Sequence, residues 1–266
     1  MIPDHLALPV ADGVAGMDRM HSLGPQFIDI TWNAGGRLSN LTCEMVNVAQ
    51  SVYGLETMMH LTCTGMPKEK VDEALKEAHK AGCTNILALR GDPPRENEKW
   101  EADPDGFHYA KDLVKHIRSK YGNYFDISVA GYPEGSEEDT PPELLLQHLK
   151  EKVDAGATFI ITQMFYDVDI FLDWVQKCRN IGITVPIIPG IMPIHTYAAF
   201  MRRATWTKCR VPPLWLKLLE PVKNDDVAVR EIGRDLVVDM CQKIIDSGIH
   251  HLHLYASHSL CTGASD

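Results

Sequence analysis

The sequence predicts an α/β fold of the (β/α)8, TIM-like barrel type, and three observations carry that expectation. Short apolar runs alternate with longer amphipathic stretches along nearly the whole chain. Most of the apolar runs end in polar or glycine-rich residues. The length of 266 residues also suits one barrel, for which about 250 residues is typical. Strict alternation of strands and helices gives parallel strands with right-handed crossovers. An open doubly wound sheet is the alternative, but no Gly-x-Gly-x-x-Gly follows any strand signal, so its usual nucleotide signature is missing.

Taken in order, Val10–Leu23 reads as a helix stopped by Gly24-Pro25, and Phe27–Thr31 as a strand leading into the glycine-rich loop Trp32–Gly36. Leu41–Tyr53 is a helix closed by Gly54, Thr57–Leu61 a strand ending at His60, and Pro67–Ala81 a helix with proline in its first turn. Asn85–Leu89 is a near-continuous apolar run, as a strand covered on both faces should be. It opens into Arg90-Gly91-Asp92, and Pro93-Pro94 then forbids further ladder pairing. Helices follow at Gly106–Tyr121, Pro141–Ala155 and Val168–Asn180, with strands at Phe125–Gly131, Phe159–Gln163 and Val185–Gly190. Thr196–Thr205 and Pro213–Leu219 read as short helices, Asp225–Ser247 as a long one, and Leu252–Tyr255 as a last strand. That makes seven strands, so the first of the eight is missing or replaced in the atypical start, residues 1–10. The tail, residues 256–266, has no period and is expected to be disordered. The chain is thus read as a single domain over residues 1–266.

A net charge of -10 and a pI near 5.6 argue against nucleic acid as a partner, since phosphate backbones need a basic face. Apolar stretches such as Ile183–Ile194 are broken by prolines and too short to span a bilayer, so no membrane role is expected. Seven scattered cysteines without a Cys-x-x-Cys pair, and no secretory signal, fit reduced thiols in the cytoplasm.

In parallel α/β folds the chemistry gathers where strands end at their carboxyl side. Thr31, His60, Arg90, Asp92, Tyr132, Gln163 and Tyr255 all fall there. His60 and Asp92 are candidate metal ligands, but Thr31, Tyr132 and Gln163 are poor ones, and no metal site is expected. Neither a Gly-x-Ser-x-Gly elbow nor a cysteine nucleophile is evident. The set suits hydrogen bonding around a planar heterocycle, with one carboxylate.

These motifs carry a family resemblance. Phe27-Ile-Asp-Ile-Thr-Trp, His60-Leu-Thr-Cys, Leu89-Arg-Gly-Asp-Pro-Pro, Phe125-Asp-Ile-Ser-Val-Ala-Gly-Tyr-Pro, Ile161-Thr-Gln-Met-Phe-Tyr-Asp and Ile188-Pro-Gly-Ile-Met-Pro-Ile resemble the catalytic domain of the methylenetetrahydrofolate reductases, of eukaryotic type. The resemblance implies a barrel that holds FAD without a Rossmann fold and reduces 5,10-methylenetetrahydrofolate to 5-methyltetrahydrofolate by ping-pong hydride transfer. NAD(P)H would be the donor, NADPH by the eukaryotic resemblance. It further implies that Thr31, His60, Leu89, Arg90, Gly91, Asp92, Tyr109, Ala110, Ala130, Tyr132 and Lys152 line the FAD site. Asp92 and Gln163 would be catalytic, and both would contact substrate together with Tyr255. Homo-oligomerisation is a further implication.

The chain departs from the family in several places. The strand bearing the family's general-acid glutamate has no counterpart, since the first glutamate is Glu44. Ser136 and Leu145 stand where a histidine and an acidic residue are expected, and Ala256-Ser257-His258 replaces the usual continuation. No stretch corresponds to the eukaryotic regulatory domain. General acid catalysis contributes about 10²–10⁴-fold, so impaired folate reduction is expected. The competing expectation is a non-catalytic truncated barrel that at most binds flavin or a full-length partner.

Overall fold

Strand and helix alternate as their sequence patterns require. In a computed structural model, which describes residues 17–18, 20–31, 39–63, 66–91, 104–135 and 140–255, the order is β1 (Ile28–Ile30), α1 (Ser39–Ser51), β2 (Thr57–Thr62), α2 (Lys68–Lys80), β3 (Asn85–Leu89), α3 (Ala110–Tyr121) and β4 (Asp126–Gly131). It continues with α4 (Pro142–Asp154), β5 (Phe159–Met164), α5 (Val168–Asn180), β6 (Ile187–Ile191), α6 (Tyr197–Trp206), α7 (Pro213–Leu219), a 3-10 turn (Glu220–Val222), α8 (Asp226–Asp246) and β7 (His253–Leu254). The fold is α/β of TIM-like type, with seven parallel strands among the described residues where a closed barrel has eight. The replaced first strand and the tail expected from the sequence lie outside the described residues. Within the expected Val10–Leu23 helix, residues 17–18 and 20–22 are helical. No helix among the described residues is long and apolar enough to cross a membrane.

The chain divides into two compact units, residues 1–129 with 154–158 and 257–266, and residues 130–153 with 159–256. In the first, β1 pairs with β2, β2 with β3 and β3 with β4, all parallel. The helices are amphipathic: α2 buries Val71, Ala74, Leu75 and Ala78, and α3 buries Ala110, Leu113, Val114 and Ile117. These spacings put one stripe against the sheet. The Arg118 guanidinium pins the end of α3 to the start of β4, donating to the carbonyls of Gly122 at 3.0 Å and Phe125 at 2.6 Å, and to that of Gly156 at 2.9 Å.

In the second unit β5 pairs with β6 and β6 with β7, again parallel. Caps start the helices where the sequence placed them. Asp167 accepts from the N–H groups of Asp169 and Ile170 at the start of α5, Thr196 from Ala199 in α6, and Asp225 from Val227 and Ala228 in α8. Phe165 stacks on Phe171 at 4.5 Å, and Tyr166 meets Phe200 and Trp215 at 5.0 and 5.4 Å.

Most boundaries fall within two residues of the sequence reading, and two of the differences have an evident cause. The helix expected from Gly106 begins at Ala110, because Tyr109 is its extended N-cap (φ -138°) and its N–H donates to Asp112. The strand expected over Val185–Gly190 runs from Ile187 to Ile191, since it pairs only from the partner of Ile160 onward.

A close approach in the second unit depends on glycine. A Cβ on Gly190 would lie 2.2 Å from the Thr162 carbonyl oxygen and 2.6 Å from the Tyr255 ring. Backbone cannot yield cheaply at such a distance, so Gly190→Ala should destabilise the protein by about 1–3 kcal/mol. Urea unfolding at fixed pH reads this as a lower midpoint with an unchanged slope.

Candidate functional site

Sheet register sorts the side chains of the first unit onto two unlike faces. Asp29 is the register partner of Met58, Met58, His60 and Thr62 are partners of Asn85, Leu87 and Leu89, and Leu87 is the partner of Ser128. Successive residues of a strand point to opposite sides, so Asp29, His60, Thr62 and Ser128 share a face. The other face carries Ile28, Ile30, Met59, Leu61, Ile86, Ala88, Ile127 and Val129 with Thr57, all buried. Helix α1 packs on β1 and β2, and α3 on β3.

The polar face is nearly closed to solvent. The His60 and Asp29 side chains are only 13% and 12% exposed, with His60 Nε2 and Asp29 Oδ2 3.1 Å apart. Thr62 and Ser128 are buried, and their hydroxyl oxygens have no hydrogen-bond partner among the described residues. An orphaned buried hydroxyl costs free energy; Thr62 follows His60 on the same face of β2, and Ser128 lies on that face across Leu87 from His60. His60 lies inside β2 rather than ending it, because pairing with β3 runs on through Thr62. Thr31 follows β1 directly, is exposed, and its carbonyl accepts from the Thr42 hydroxyl at 3.2 Å. Leu89 ends β3, and its carbonyl accepts from the N–H of Cys63 at 3.2 Å. Arg90 and Gly91 follow it half-buried, Gly91 with φ 91°, a conformation that strains any residue with a Cβ. Tyr109 is 53% exposed at the start of α3, with Ala110 buried behind it. Asp92 lies outside the described residues.

In the second unit the Lys152 ammonium donates to the Ala130 carbonyl at 2.7 Å and stands 5.8 Å from the centre of the Tyr132 ring. Lys152 thus reaches two of the other expected cofactor residues. Gln163 is half-buried on β5, its amide oxygen accepting from the N–H of Met164 at 3.1 Å. The Tyr255 hydroxyl donates to the Thr162 carbonyl at 2.9 Å.

The comparisons with known proteins now decide the family. A family model described as methylenetetrahydrofolate reductase matches residues 9–259. The chain belongs to the methylenetetrahydrofolate reductase family. It is 59% identical over 244 residues to methylenetetrahydrofolate reductase 2 of Saccharomyces cerevisiae, covering 90% of this chain and 41% of the yeast protein. It is 52% identical over 248 residues to the probable methylenetetrahydrofolate reductase (NADH) of Oryza sativa, covering 90% and 42%. With the probable methylenetetrahydrofolate reductase (NADPH) of Caenorhabditis elegans it shares 40% over 245 residues, covering 90% and 36%. The chain thus spans about two fifths of the length of these relatives. Among solved structures, an uncharacterized Clostridium thermocellum protein described as binding two copies of 5-methyl-5,6,7,8-tetrahydrofolic acid superposes with a TM-score of 0.52 at 11% identity, covering 95% of this chain and 87% of that one. At that identity the likeness is one of fold.

Family motifs led to His60, Tyr132 and Lys152, but three side chains beside them escaped the sequence reading. Asp29 carried a signal, as a charged residue inside the otherwise apolar Ile28-Asp29-Ile30. Thr62 and Ser128 carried none, because orphaned hydroxyls are recognised only in three dimensions. Glu134, just beyond Tyr132, accepts from the Arg210 N–H at 2.6 Å. Burial raises its carboxyl above the usual range, partly opposed by backbone hydrogen bonds. Burial pushes the Cys63 and Cys178 thiols up to about 12 and those of Cys43 and Cys209 to about 11. Among the described residues no group of three metal-ligating side chains occurs.

A raised carboxyl favours the folded state in its protonated form. That stabilisation is complete below the unfolded value of about 4.5 and is lost as pH rises through the higher folded value. The stability of the protein relative to Glu134→Gln should therefore fall between about pH 4.5 and about pH 7. Urea unfolding of both proteins at the two pH values measures the difference.

Proposed function

We propose that the chain reduces 5,10-methylenetetrahydrofolate to 5-methyltetrahydrofolate with electrons from NAD(P)H, using bound FAD in a ping-pong cycle. The observation that carries this reading is the face of β1–β4 that holds the His60–Asp29 pair and, on the same side, the orphaned hydroxyls of Thr62 and Ser128, in a member of this family. Such a donor and acceptor set fits a planar, multiply hydrogen-bonding ring better than a metal or an apolar ligand.

The residues that the family motifs assign to FAD are Thr31, His60, Leu89, Arg90, Gly91, Asp92, Tyr109, Ala110, Ala130, Tyr132 and Lys152. Gly91, with its positive φ, allows backbone close to the ligand, and the Arg90 and Lys152 cations offset pyrophosphate charge. Asp92 would orient the donor-rich edge of the pterin, and the Gln163 amide would bind nicotinamide and folate in turn. When bound, FAD supplies two-electron chemistry, taking hydride from the nicotinamide and giving it to the folate. Relatives named for NADH are 52% identical and the one named for NADPH 40%, which makes NADH the first donor to test.

Protein reconstituted with FAD should be yellow, bleach anaerobically with NADH or NADPH, and recover colour on adding methylenetetrahydrofolate. Failure to take up FAD would overturn the proposal in favour of a non-catalytic barrel. Bleaching without recovery would separate a working donor half-reaction from a missing acid for the folate half. Lys152→Met removes the ammonium that touches Ala130 and overlies Tyr132. It should raise the dissociation constant for FAD about tenfold, equivalent to about 1.4 kcal/mol, as read by flavin fluorescence titration.

A further inference from the structure

We propose that Asp29 is a positioning residue that fixes the orientation and proton placement of the His60 imidazole, so that the Nδ1 edge is the one His60 offers to a ligand. The inference rests on the reading of His60 as a flavin-site residue, but its geometric half stands without it.

A carboxylate only accepts hydrogen bonds. The imidazole nitrogen facing it therefore carries the proton, whether the ring is neutral or charged. Here that nitrogen is Nε2, 3.1 Å from Asp29 Oδ2. In the neutral ring Nδ1 is then left as an acceptor, and a histidine without such a partner would populate both tautomers. The sheet enforces the pairing. Asp29 is in register with Met58, and His60, two residues further along β2, points to the same side and meets Asp29 diagonally across the parallel ladder.

The surroundings argue that the pair does more than fill space. Ile28 and Ile30, on either side of Asp29, are buried at 8% and 6% exposure, so a charged residue between them carries a desolvation cost that an apolar residue on this strand would avoid. Thr62, next along the same face of β2, has a buried hydroxyl without a hydrogen-bond partner among the described residues. A structural histidine needs only some partner. One that must present a defined edge needs a partner that dictates which nitrogen holds the proton, and a carboxylate does this where an amide would not.

The test uses the full chain with nitrogen-15 labelled histidine. Ring nitrogen shifts should show His60 protonated at Nε2 in the wild-type protein without FAD, and this placement should be lost in Asp29→Val. Asp29→Asn, nearly isosteric and safer for folding, should show a mixture of tautomers, because an amide both donates and accepts. Asp29→Val should weaken FAD binding about tenfold, yet should add little in a His60→Ala background if Asp29 acts through His60. An unprotonated Nε2 in the wild type, or an equal loss of affinity in both backgrounds, overturns the proposal. Should His60→Ala leave FAD binding unchanged while the ring shifts still respond to Asp29, the flavin reading of His60 fails and the proton placement is upheld.

Discussion

The constraint on which this structure depends is the two-residue period of its strands. A strand in a parallel sheet has two faces, and only one of them must be apolar to seat a helix. In β1–β4 that face is met by Ile28, Ile30, Met59, Leu61, Ile86, Ala88, Ile127 and Val129, with the buried Thr57 at its edge. The other face is thereby released from the packing requirement of the helices. It carries Asp29, His60, Thr62 and Ser128 beside the buried Met58 and Leu87. A slip of one residue in register would exchange the two faces, so the same alternation specifies the fold and protects the site.

Within each unit further contacts tie the elements together. Arg118 ties three carbonyls at the turn into β4, and burial lowers its guanidinium from its ordinary value. In the second unit Gly190 brings the Tyr255 ring against β6 while the Tyr255 hydroxyl bonds the Thr162 carbonyl. Glu134 joins the loop beyond Tyr132 to the backbone of Arg210.

Legibility from sequence tracked how local the determining interaction was. Asn85–Leu89, Val168–Asn180 and Pro213–Leu219 are the same in sequence reading and structure, because each boundary is set by an immediate neighbour: Arg90-Gly91 after β3, the Asp167 cap before α5, and proline at the start of α7. The start of α3 was missed by several residues because Tyr109 and Asp112 end the helix through a hydrogen bond that apolar periodicity does not report. His60 was recognised by its motif. Its partnership with Asp29 was not, since Asp29 is 31 residues away and its charge inside an apolar strand does not say what it meets.

By itself the amino-acid sequence determined the alternation of strands and helices, the family, and the residue types offered at strand ends, because periodicity, caps and motifs are properties of neighbours along a chain. Tertiary structure alone decided that Asp29 meets His60, that the Lys152 ammonium rests on the Ala130 carbonyl by Tyr132, and that two hydroxyls are buried without partners. Those outcomes depend on register and crossover geometry, which convert distance along the chain into contact through space.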